Sequence, residues 1–133
     1  MNSPMAVTAQ ERKLLLDGNG EQGCSPMETL MISLAGCMAI DLVHILGRMR
    51  AEIKDVRARI EGTRADTDPR RFTQLRLHFD IEADGLKPEN VERALALSRE
   101  KYCSVWHSLS ADIDRQISFE LRKLGERDGG VEG

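Results

Sequence analysis

The sequence predicts an α+β domain in which one long apolar helix packs on a small antiparallel sheet. Three observations carry that reading. The run from Met27 to Leu46 is apolar in nearly every direction around a helix. Two later runs alternate apolar and polar residues at the period of a strand. The elements follow in the order strand, long helix, two strands, helix, short helix, strand. The 133 residues fit one domain over 1–133, with no internal repeat or linker.

Residues 12–16 form a short predicted strand, closed by the turn chemistry of Asp17-Gly-Asn-Gly20. Ser25, Pro26 and Glu28 then open the long helix. The serine accepts from free backbone N–H groups, the proline suits the first helical position, and Glu28 completes a capping box. The helix is predicted to run to about Arg50, with Arg48 and Arg50 at its negative end. Because its apolar residues point all round, it is expected to be buried all round. One small sheet covers only one side, so a second copy of the chain is the expected partner, in an intertwined homodimer.

Val56, Ala58 and Ile60 alternate with charged residues, and Leu75, Leu77, Phe79, Ile81 and Ala83 alternate with Gln74, Arg76, His78, Asp80 and Glu82. With Thr63-Arg-Ala-Asp-Thr-Asp-Pro-Arg70 between them, the two runs read as a hairpin with one wet face. Pro88 starts an amphipathic helix with Val91, Ala94, Leu95 and Ser98 on one stripe, breaking near Tyr102-Cys103-Ser104. A short helical piece follows to Leu109. Residues 112–121 form the last strand, whose apolar face of Ile113, Ile117, Phe119 and Leu121 is interrupted by Arg115. The tail from 123 to 133 is expected to fray.

Composition removes several classes of function. The net charge is −3 and aromatic residues are 4%, so neither a basic footprint nor base-stacking platforms for nucleic acid are present. The N-terminus lacks the basic and apolar regions of a secretory signal. Asp41, His44 and Arg48 in the long helix argue against a membrane span. Three cysteines do not make a disulfide framework, so a cytoplasmic, thiol-bearing protein is expected. No C-x-x-C or H-E-x-x-H spacing occurs, and no metal or cofactor is expected.

Chemistry concentrates on Cys37 and Cys103. On the helix, Asp41, His44 and Arg48 share the stripe of Cys37, making one polar seam with a thiol at its head. Cys103 sits at a helix break, where a following N-terminus favours a thiolate. Taken alone, Cys37 is better explained by packing, and Cys103 is as well explained by it. Cys24 reads as incidental and exposed, His78 as solvated, and His107 as a surface residue one turn beyond Cys103.

Ser25-Pro26 with Gly36-Cys37-Met-Ala-Ile-Asp41, and Lys101-Tyr102-Cys103, resemble the two cysteine motifs of the OsmC-like superfamily, which includes organic hydroperoxide resistance proteins. The resemblance covers most of residues 14–121 and is closest to an uncharacterised branch. It implies an α+β fold and an intertwined dimer with active sites at the interface. It also implies thiol-dependent reduction of organic hydroperoxides in oxidative stress defence, with Cys37 as the peroxidatic thiol and Cys103 as the resolving one. An external dithiol would then reduce the pair. The position after the proline, a glutamate in the well-understood peroxidases, is Met27 here, and Glu28 comes one residue later. The family's activating arginine lies in N-terminal strands that are shortened here, where Arg12 is the sole arginine before Cys37. Glu28, Asp41 and Arg12 are therefore the candidate supporting residues, with Arg48 a second candidate cation. The alternative is a non-enzymatic dimer that binds a small apolar ligand at the subunit interface.

Overall fold

The structure, a computed structural model, describes residues 5–125. Its elements are β1 (Met5–Val7), β2 (Lys13–Leu15), α1 (Pro26–Arg48), β3 (Glu52–Arg64), β4 (Phe72–Asp84), α2 (Pro88–Leu97), α3 (Ser104–Ser108) and β5 (Asp114–Arg122). A single π turn over Ser98–Tyr102 links α2 to α3. The expected strand at 12–16 is β2, which pairs antiparallel with β1 in a sheet of its own. The strand β1 was not legible. In the loop after β2 the Asp17 carboxylate accepts from the N–H groups of Asn19, Glu21 and Gln22 at 3.0, 3.2 and 2.9 Å. These bonds, the one from Gln22 foremost, hold its pKa below the ordinary value. The tail from 126 onward lies outside the described residues.

The start of α1 is as expected. Ser25 Oγ accepts from the Glu28 N–H at 3.1 Å, and the Glu28 carboxylate accepts from the Ser25 N–H at 2.9 Å. The helix is long and apolar enough to cross a membrane by length and composition. Within this chain only part of its surface is covered. Leu34, Ala35, Met38, Leu42, Ile45 and Leu46 are buried, whereas Ile32, Ile40 and Val43 are 53%, 60% and 46% exposed. At about 100° per residue these are roughly opposite stripes, and the seam of Cys37, Asp41, His44 and Arg48 runs between them.

The main sheet has the order β3-β4-β5. It is mixed rather than antiparallel, which corrects the expectation. The strands β3 and β4 form the expected antiparallel hairpin, but β5 runs parallel to β4, pairing Gln74 with Asp114 through Glu82 with Arg122. The helices between β4 and β5 are the reason, since a helical crossover returns the chain to the end where it started. On β4, Leu75, Leu77, Phe79, Ile81 and Ala83 are all buried, as the alternation predicts. A bulge between Ile53 and Asp55 shifts the parity of β3, so Ile53 and Val56 both pack against the core despite their odd spacing.

Gly62 on β3 lies against Met31 of α1 and Phe72 of β4. A Cβ placed there would lie 2.7 Å from Phe72 Cε1 and 2.9 Å from Met31 Sδ. Gly62→Ala is therefore expected to destabilise the protein by ~1–3 kcal/mol through overpacking. Urea unfolding checks it, as a lower midpoint at unchanged slope.

Candidate functional site

The fold brings Cys37 and Cys103 together. Cys37 sits half-buried on α1, while Cys103 lies in the bend between the π turn and α3 and is 0% exposed. The two sulfurs and a carboxylate oxygen of Asp41 lie within 4.8 Å of one another. Both thiols are free. Since a disulfide needs its sulfurs about 2.05 Å apart, the pair is adjacent but not at bonding distance.

Two local devices place Cys103. The π turn is closed by the Cys103 N–H donating to the Ser98 carbonyl at 2.8 Å. Cys103 then caps α3, its sulfur accepting from the Trp106 N–H at 3.3 Å. The cap was expected to favour a thiolate, and its hydrogen bond does pull in that direction. Burial wins. Desolvation, with a hydrogen bond to Cys37 and the negative charge of Asp41, pushes the Cys103 thiol from 9.0 up to about 12. Burial therefore favours the neutral thiol over the thiolate that the helix N-terminus favours.

Asp41 is held from across the core. Ser98, 0% exposed, donates its hydroxyl to Asp41 Oδ2 at 2.7 Å. Of the rest of the seam, His44 and Arg48 are exposed. Ser98 carried a signal in the sequence: it stands on the apolar stripe of α2, and a buried hydroxyl requires a partner. Nothing in the sequence named that partner.

The arginine that interrupts β5 also belongs to this neighbourhood. Arg115 stacks on Trp106, its Cζ 4.5 Å from the ring centroid, and donates to the carbonyls of Trp106, at 2.9 Å, and Ser110. Its Nε is buried without a partner among the described residues. Burial lowers its pKa, and the nearby Cys103 sulfur opposes that shift. The side chain lines a cavity of about 360 Å³ with Trp106, His107, Leu109 and Ile113.

The remaining candidates sit elsewhere. Glu28 is engaged in the capping box and exposed, and Arg12 is exposed, its backbone N–H bonded to Thr8 Oγ1 at 3.1 Å. Cys24 is half-buried rather than exposed, and His107 is exposed. His78 is also half-buried rather than solvated, its ring nitrogens bonded to Ser118 and Asp80 at 2.8 and 3.2 Å. His78, Asp80 and Glu120 form a second group of donor atoms within 4.8 Å, but Asp80 there already pairs with Arg59 at 3.4 Å. The thiol pair and Asp41 supply three donors, one short of a closed zinc site.

The model of the OsmC-like protein family matches residues 18–118. The chain belongs to the OsmC-like family. It is 38% identical to protein YhfA of Escherichia coli over 118 residues, 88% of each chain. A crystal structure of a hypothetical protein from Aquifex aeolicus superposes with a TM-score of 0.74 at 27% identity, covering 92% of this chain and 96% of that one. An organic hydroperoxide resistance protein OsmC from Legionella pneumophila superposes with a TM-score of 0.63 at 17% identity, over 87% and 88% of the two chains. That last likeness is one of fold.

The raised Cys103 value sets a sign for alkaline stability. The folded state keeps a proton that the unfolded chain releases above pH 9.0, so this contribution is present below that pH and is lost as pH rises toward about 12. Stability is therefore expected to fall as pH rises from about 9 toward about 12, and less steeply in Cys103→Ala. Urea unfolding at several pH values checks it; equal slopes for the two proteins would contradict the assignment.

Proposed function

We propose that this OsmC-like protein reduces organic hydroperoxides through the Cys37–Cys103 pair, as a cytoplasmic homodimer acting in oxidative stress defence. The observation that carries the reading is the meeting of two free thiols 66 positions apart in sequence, within 4.8 Å of each other and of one carboxylate. Membership of a family whose fold is shared by a hydroperoxide resistance protein supports it.

In this reading Cys37, the more exposed sulfur, attacks the terminal peroxide oxygen. The O–O bond breaks, the alcohol leaves, and Cys37 becomes a sulfenic acid. Cys103 condenses with it, releasing water and leaving a disulfide, which an external dithiol reduces. The apolar residues beside Cys37 on α1 suit an organic hydroperoxide better than hydrogen peroxide.

The exposed stripe of α1 supports the dimer. Ile32, Ile40 and Val43 are bare, and a Cβ at Gly36 or Gly47, on the same stripe, would meet nothing within 4 Å. An apolar helix face with a flat centre is suited to a second copy of itself. Cys37 borders that stripe, so the partner helix would wall the thiol from water. Sedimentation at micromolar concentration is expected to give a dimer and Ile40→Asp a monomer; a stable wild-type monomer would sink this part of the reading.

Activity is tested with cumene hydroperoxide and a dithiol reductant. The reduced protein is expected to consume peroxide faster than free thiol does, Cys37→Ser to lose all consumption, and Cys103→Ser to lose it in part. Unchanged consumption in Cys37→Ser would end the enzyme reading.

A further inference from the structure

The reduced pair presents a chemical difficulty. Cys103 must attack as a thiolate, yet burial, the neighbouring thiol and Asp41 push its thiol up to about 12, so it is protonated at neutral pH. The short distance to Cys37 does not remove that proton. A base beside the sulfur does.

We infer that Asp41, held in place by Ser98, is the base that takes the Cys103 proton when the disulfide closes. The inference rests on the reading of Cys37 as the thiol that is oxidised first. A carboxylate oxygen of Asp41 lies within 4.8 Å of both sulfurs, near enough to meet the Cys103 thiol after a small side-chain movement. Ser98 fixes both ends of this transfer. Its hydroxyl donates to Asp41 Oδ2 at 2.7 Å, while its carbonyl accepts from the Cys103 N–H at 2.8 Å through the π turn. One fully buried serine therefore ties the base and the attacking residue to a single point in the core.

The step balances without any further reactant. The Cys103 S–H proton passes to the Asp41 carboxylate as the Cys103 sulfur attacks the Cys37 sulfur. The S–S bond forms and the S–O bond of the sulfenic acid breaks. The departing hydroxide recovers the proton from Asp41 and leaves as water. The Cys103 sulfur is oxidised and the Cys37 sulfur reduced by the same amount.

Asp41→Asn tests the base without disturbing the scaffold, because the amide oxygen still accepts from Ser98 and the shape is kept. With cumene hydroperoxide, dimedone trapping reads the sulfenic acid and mass spectrometry reads the disulfide. Asp41→Asn is expected still to accumulate sulfenic acid and to close the disulfide about a hundredfold more slowly. Asp41→Glu, which retains a carboxylate, is expected to recover part of the loss. Ser98→Ala is expected to slow closure while leaving sulfenic acid formation alone, a split that general loosening of the fold would not produce. The second arm replaces peroxide by diamide, whose adduct on Cys37 is displaced by Cys103 with the same loss of a proton. Closure slowed by Asp41→Asn with diamide, in a protein that forms no sulfenic acid with cumene hydroperoxide, would support the base and remove the peroxidase reading. Closure at the wild-type rate in Asp41→Asn with diamide would overturn the base.

Discussion

Leu34, Met38, Leu42 and Leu46 of α1 lie fully buried between the sheet and the helices that follow it. The rest of the structure depends on this packing. The helix carries more apolar surface than three strands cover, so it is wrapped from two directions, by β3 on one side and by α2, the π turn and α3 on the other. The crossover that supplies the second cover is also what sends β5 back parallel to β4. Gly62 shows how closely the layers meet, since a Cβ there would lie within 3 Å of both Phe72 and Met31. The site is a by-product of the same wrapping: Cys103 and Ser98 reach α1 because their segment is pressed onto it.

Burial and hydrogen bonding compete at Cys103, and their relative size sets its state. One N–H from Trp106 is a single neutral donor at sulfur distance. Against it stand complete removal from water, a second thiol and a carboxylate. A lone backbone donor at a five-residue helix does not offset desolvation of an anion, so the thiol stays protonated. Arg115 does not reverse this, because its guanidinium is committed to Trp106 and to two backbone carbonyls.

Much of this was legible in the residues. Ser25, Pro26 and Glu28 announced the start of α1, and strict alternation from Leu75 to Ala83 announced the buried face of β4, because both signals are local. The two cysteine motifs, by resemblance, announced the meeting of Cys37 and Cys103. What stayed hidden depends on residues distant in sequence. The strand β1 is three residues long, too short for a periodic signal. The direction of β5 follows from the path of α2 and α3, and the two helices were visible while their consequence for the sheet was missed. The bond from Ser98 to Asp41 joins residues 57 positions apart, and only the packing of α2 on α1 brings them together.

Access and leaving-group chemistry pull in opposite directions when the proposed disulfide is reduced again. Cys103 is 0% exposed and Cys37 is half-buried, so an incoming thiolate reaches the Cys37 sulfur first. Attack there expels the Cys103 sulfur, which is a poor leaving group because its thiol titrates near 12. The reaction is eased by delivering a proton to that sulfur as the bond breaks. By microscopic reversibility, the group that removes a proton from Cys103 during closure is the one placed to return it during reduction. Asp41 has the position for both directions, and the bond from Ser98 keeps it there whichever way the proton moves. A carboxylate that disfavours a standing thiolate at Cys103 thus suits a sulfur that is neutral at rest and charged only in passing.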